Sequence, residues 1–152
     1  MPKLLLIQGA NLSWLGKREP EIYGKTTAAE LDAMLFAEAE RRQVGLEIRY
    51  SNIEGEAINW IYEAADSDVD GLLMNPAGFS LAGYSMMHCL KAVHASLPYI
   101  EIHITNIDKR GLWSVTAEAA EGVVSGFGID SYFVALDAML RLLARRSNTT
   151  GG

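Results

Sequence analysis

Six residues in this chain are of types that move protons, carry fixed charge or orient polar contacts: Asn11, Arg18, Tyr23, Asn75, His103 and Thr105. Tyrosine and histidine exchange protons, arginine is a permanent cation, and asparagine and threonine place polar atoms. Arg18 and Tyr23 lie in "GKREPEIYGKTT" (16–27), which holds five charged residues, a proline and two glycines. That stretch is too polar and too broken for a core, and longer than an ordinary connection needs. The other candidates stand in "QGAN", "NPAGFS" and "HITNIDKR". Each has a structural reading when taken alone. An Asn opening a turn caps backbone, a strand-end His is satisfied by its neighbours, and a loop Arg or Tyr is ordinary surface. Convergence on one cleft is what turns them into chemistry.

The elements that would bring them together follow from periodicity. "KLLLIQ" (3–8) is an unbroken apolar run, as in a strand covered on both faces. Thr27 and Glu30 form a T-x-x-E capping box, and Leu31, Met34, Leu35 and Ala39 give the following helix one apolar face. Residues 46–52 alternate as a strand, 55–67 read as a helix with Ile58, Ile61, Tyr62 and Ala65 on its face, and 71–76 form a third strand stopped by Pro76. Residues 81–96 read as one helix, 99–105 and 122–128 as strands, and Asp130 caps a last helix reaching Leu143. Five strands alternating with helices predict an α/β fold with a doubly wound parallel sheet, right-handed crossovers and helices on both faces. Ligands of such sheets bind beyond the carboxyl ends of the strands, near the switch in strand order. The candidates after strands one, three and four stand there. A single domain is expected over 1–146, with a flexible polar tail at 147–152.

Composition narrows the function classes. The 152 residues carry 13 basic and 19 acidic side chains, a net charge of −6, which argues against nucleic acid or an anionic membrane surface as partner. Cys89 is the sole cysteine, so no disulfide framework or zinc ligand set is expected. His88 and His94 share a helix but not a face, which makes a metal site improbable there. "GFGIDS" (126–131) has Ser131 at the third glycine position of a dinucleotide motif and closes the chain instead of opening it. "GANLSWLG" is not a phosphate loop for a mononucleotide, and Asn75 stands where a phospho-acceptor domain needs Asp. The first apolar run is short for a secretory signal and no segment reaches membrane-span length, so a cytoplasmic location is expected.

Five stretches, "IQGANLSWLGKREPEIYGKTT", "SNIEGEAINWIYEA", "MNPAGFS", "PYIEIHITNI" and "GFGIDSYFVAL", resemble successive motifs of the type II 3-dehydroquinate dehydratases, in order and from about residue 3 to 143. The resemblance implies a flavodoxin-like fold, a small-molecule substrate, no metal or organic cofactor, and trimers assembling into a dodecamer. It implies a trans dehydration of 3-dehydroquinate to 3-dehydroshikimate in the shikimate or quinate pathways. Tyr23 then matches the base, Arg18 the cation beside it, Asn11 the side chain facing the enolate oxygen and a water, and His103 the general acid, with Glu101 orienting its ring. Asn75, Ile104 and Thr105 match substrate-binding positions.

Three further substrate-contact positions differ in kind from the family pattern: Leu81 stands for a histidine, His88 for an acidic residue that reaches a neighbouring subunit's site, and Ser114 for an arginine. Gly83 replaces a serine nearby. The wall that Phe79, Leu81, Tyr84 and Trp113 would form is more apolar and suits a less hydroxylated ring. Two other readings therefore stand beside the dehydratase: a related lyase or isomerase acting on a different cyclic keto acid, and a non-catalytic homologue on the same frame.

Overall fold

The unbroken apolar run forms strand β1, Lys3–Gln8, with five of its six residues buried, in a computed structural model that describes residues 1–150. Strands β2 (Gly45–Tyr50), β3 (Gly71–Asn75), β4 (Tyr99–His103) and β5 (Gly122–Ser125) join it in one sheet of order β2-β1-β3-β4-β5. Every neighbouring pair is parallel. β3 and β4 are buried along their whole length and β1 from its second residue on, because both their faces are covered, whereas the edge strand β2 is only half-buried.

Alternate residues build two cores. Leu5, Ile7, Leu72, Met74 and Tyr99 pack against helices α3 (Glu54–Ala65) and α5 (Tyr84–Val93) on one face. Leu4, Leu6, Leu73, Ile100 and Ile102 meet α2 (Ala28–Arg41) and α6 (Asp130–Thr150) on the other. Two helical pieces of four residues, α1 (Pro20–Tyr23) and α4 (Phe79–Ala82), sit in the connections that follow β1 and β3. This is the doubly wound, flavodoxin-like order, and its switch point lies between β1 and β3, where the chain first moves out to β2 and then returns.

Several boundaries differ from the sequence reading. The single helix expected over 81–96 is two, α4 and α5, parted at Gly83, where a side-chain carbon would lie 2.1 Å from the Phe79 carbonyl oxygen. β4 and β5 end two and three residues early, the chain turning away into a loop after each. α6 continues past Leu143 to Thr150, taking in the first residues of the expected tail; residues 151–152 of that tail lie outside the described residues. Met34 and Tyr62, placed on apolar helix faces, are substantially exposed. Among the described residues no helix is long and apolar enough to cross a membrane.

Candidate active site

The carboxyl ends of β1, β3 and β4 open into a cleft of about 240 Å³. Asn11, Arg18, Tyr23, Asn75, His103 and Thr105 all line it. Chain segments far apart in sequence are held there by the sheet: Gln8 pairs in register with Asn75, and the Gly9 amide donates to the Asn75 carbonyl at 2.8 Å. A side-chain carbon at Gly9 would lie 2.3 Å from the Pro76 carbonyl oxygen, so only glycine lets the two backbones cross at the cleft floor.

Asn11 adopts a left-handed conformation (φ 70°), and its amide donates to Asn52 Oδ1 at 2.8 Å. Asparagine tolerates that backbone better than most side chains. Asn75 is almost fully buried. Its Oδ1 accepts from the Ala77 amide at 3.1 Å, and its Nδ2 donates to the Tyr132 hydroxyl at 2.9 Å, which in turn donates to Gln8 Oε1 at 2.8 Å. The turn-capping reading of Asn75 thus coexists with its place in the cleft.

The charged stretch 16–27 folds over the cleft. Its backbone is not irregular throughout: Pro20 starts α1, which delivers Tyr23 at its last position. The Arg18 guanidinium carbon lies 5.1 Å from the Tyr23 ring centre. A second cation, Arg110, comes from the loop after β4, its carbon 5.8 Å from the same ring. Arg110 Nη1 is held by Thr105 Oγ1 at 3.0 Å and stands 3.5 Å from the Tyr23 hydroxyl. Two guanidinium groups thus stand beside one phenol, Arg18 against its ring and Arg110 against its hydroxyl as well. The sequence reading placed only Arg18 beside Tyr23. Arg110 is 87 residues away along the chain, and no local pattern signals the contact.

Opposite stands the His103–Glu101 pair. Period-two alternation puts Tyr99, Glu101 and His103 on one face of β4 and Ile100, Ile102 and Ile104 on the other. His103 Nε2 lies 2.8 Å from Glu101 Oε2. Glu101 is completely buried, and burial pushes its carboxyl up, but hydrogen bonds from His103, Ser114 and Thr116, with the charge of a protonated His103, outweigh this and hold it below the ordinary value. The buried phenols Tyr99 and Tyr132 are pushed well above theirs, chiefly by burial, so both remain neutral donors.

Ile104 and Leu81 also line the cleft, together with Leu112 and Trp113. Ser114 does not. It is buried behind the wall, where its hydroxyl donates to Glu101 Oε2 at 2.6 Å. It follows Trp113, and the chain there turns inward to satisfy the carboxylate. His88 is exposed on α5, whose inward positions are Met86, Met87, Cys89, Leu90 and Val93, so within this chain it faces away from the cleft. Of the expected apolar wall, Leu81 and Trp113 are present, Phe79 belongs to the core, and Tyr84 borders a separate groove. Among the described residues, no three of His, Cys, Asp and Glu gather as metal ligands would.

A sequence profile described as dehydroquinase class II matches residues 2–140. The chain belongs to the class II dehydroquinase family. It is 41% identical over 142 residues to the 3-dehydroquinate dehydratase of Dictyoglomus turgidum, covering 91% of this chain and 96% of that protein. It is 38% identical over 149 residues to the protein of the same name from Idiomarina loihiensis, covering 96% and 97%. Among solved structures, the type II dehydroquinase of Butyrivibrio crossotus superposes with a TM-score of 0.87 at 32% identity, covering 91% of this chain and 97% of that one.

Proposed function

We propose that this class II dehydroquinase family member is a hydro-lyase that converts 3-dehydroquinate to 3-dehydroshikimate by trans dehydration through an enolate. The observation that carries the mechanism is the placement of Tyr23, flanked by Arg18 and Arg110, and His103, backed by buried Glu101, in one cleft. Loss of water from a β-hydroxy ketone needs a base for the α-proton, a partner for the enolate oxygen and an acid for the departing hydroxyl. Tyr23 serves as the base, Arg18 and Arg110 supporting its phenolate. Asn11 orients a water at the enolate oxygen. His103 protonates the leaving hydroxyl, and the proton on Tyr23 afterwards returns to His103, closing the cycle with one water released. Asn75, Ile104 and Thr105 hold the substrate carboxylate.

The wider setting belongs to the same reading: a soluble cytoplasmic enzyme of the shikimate or quinate route, its functional unit residues 1–146. Trimers assemble into a dodecamer, and His88 reaches a neighbouring subunit there. The family resemblance supports these points. A second reading rests on the apolar wall: Leu81, Leu112 and Trp113 line the cleft, and a less hydroxylated cyclic keto acid would meet them better.

Ultraviolet detection of the conjugated enone product tests the proposal. Purified protein should dehydrate 3-dehydroquinate, and Tyr23→Phe should lower kcat by at least about a hundredfold, the usual worth of a positioned base. Ligand affinity by calorimetry should stay nearly constant. Turnover of Tyr23→Phe close to wild type would overturn the mechanism. Wild-type turnover that is negligible on 3-dehydroquinate but brisk on a less hydroxylated keto acid would select the second reading.

A further inference from the structure

Glu101 has two carboxylate oxygens and receives four donors. Tyr99 Oη, at 2.8 Å, and Thr116 Oγ1 both donate to Oε1; Ser114 Oγ, at 2.6 Å, and His103 Nε2, at 2.8 Å, both donate to Oε2. A carboxylate offers about four lone-pair sites, so this one is saturated. The proton count is closed on the donor side too. Each hydroxyl has one proton and spends it on Glu101, so the 3.2 Å approach of Ser114 to Thr116 carries none, and Ser114 Oγ remains free to accept from the Ala117 amide at 3.3 Å.

Two consequences follow for His103. An ionised carboxylate only accepts, so the ring nitrogen facing it must carry a proton, which leaves Nδ1 as the nitrogen that gains and loses one. A saturated carboxylate also has no vacant site at which to take up a proton itself. Were a donor removed, Glu101 would become more basic, and a proton taken up from solvent at Nδ1 would then let the Nε2 proton pass to the carboxyl, leaving the imidazole as its Nδ1–H tautomer beside a neutral acid.

We propose that Ser114 and Thr116 are positioning residues for the proton donor: with Tyr99 they complete the donor shell of Glu101 and thereby lock His103 as the Nε2–H tautomer, with Nδ1 reserved for the substrate. Both lie on the connection between β4 and β5, which also carries Arg110 and the cleft residues Leu112 and Trp113. One buried carboxylate therefore fixes the ring of the acid and anchors the loop that brings a cation to the base. The kinetic part of this assignment rests on the dehydration reading above; the tautomer part does not.

The test is a Ser114→Ala/Thr116→Val double variant, with Thr116→Ser as a partner that keeps the hydroxyl. Nitrogen-15 NMR of labelled histidine, at a pH where the imidazole is neutral, should show one Nε2–H tautomer for His103 in the wild type and in Thr116→Ser, and a mixture in the double variant. His103→Gln assigns the signal. In the dehydration assay the double variant should lose at least about tenfold in kcat, as a misaligned acid does, with KM for 3-dehydroquinate within about twofold because neither residue lines the cleft. A single Nε2–H tautomer retained in the double variant overturns the proposal, as does a Thr116→Ser variant whose tautomers mix as freely as those of the double variant. A wild type without turnover condemns the dehydration reading, while the tautomer comparison still decides this one.

Discussion

Asn75 shows how far a single side chain in the cleft depends on partners that never touch it. Its amide is aimed by the Tyr132 hydroxyl, 57 positions away, and Tyr132 is itself aimed by Gln8. Tyr132→Phe would strip Asn75 Nδ2 of its acceptor and Gln8 Oε1 of its donor, and each buried group left unpaired costs about 1–3 kcal/mol. The expected outcome is a lower urea midpoint together with a KM about tenfold higher, kcat changing less, because Asn75 is assigned to binding and not to proton transfer. Steady-state kinetics and urea unfolding on one preparation check both halves. The His103–Glu101 pair was expected from the family resemblance alone, and alternation along a strand, which puts residues i and i+2 on the same face, is the physical reason the two side chains meet. The partners contributed by Tyr132, Arg110 and Thr116 were not legible in the sequence, since they come from other elements and leave no local pattern. Ser114 was misplaced for a related reason: matching by position in a motif says nothing about which way a loop residue turns, and this one turns toward a buried carboxylate.

At the scale of elements, local signals held where local interactions decide. The T-x-x-E box at the start of α2 is present, with both hydrogen bonds at 3.1 Å. Pro20, the signal for the start of α1, was read only as a loop breaker, and the break at Gly83 was hidden inside an otherwise helical pattern. What spacing could not reveal is a close approach between two backbones. Gly9 is the sharpest case, since its hydrogen faces the Pro76 carbonyl at the point where β1 and β3 leave the sheet. Gly9→Ala should force the two strand ends apart and cost about 1–3 kcal/mol, the range for overpacking a site that cannot yield. Thermal denaturation measures the loss, and an unchanged melting temperature would mean that the floor is softer than its packing suggests. Activity should fall with it, because Asn11 and Asn75 flank the same crossing.

At the scale of the whole molecule, Glu101 links stability to pH. Its carboxyl lies below the ordinary glutamate value of about 4.3 in the folded state, so the unfolded chain binds the extra proton more readily. The stabilisation is therefore complete at neutral pH and is lost as pH falls through and below the usual carboxylate range. Urea midpoints from pH 7 down to pH 3 should fall more steeply for the wild type than for Glu101→Gln, the gap between them narrowing with acidity. Parallel curves would show that Glu101 makes no contribution.

The cleft has a floor and a roof of unlike character. The floor is sheet and strand ends, fixed by register and by the Gly9–Pro76 crossing. The roof is two loops from opposite sides, meeting where Arg110 Nη1 stands 3.5 Å from the Tyr23 hydroxyl. That contact ties together two loops whose residues both line the cleft. In the proposed dehydration the guanidinium that supports Tyr23 also ties the two loops, so a loop opening that lets product leave would part the two groups that proton abstraction uses. On that reading residence time and bond-breaking rate share one side chain, and a substitution at residue 110 that hastens release should slow the chemistry it releases from.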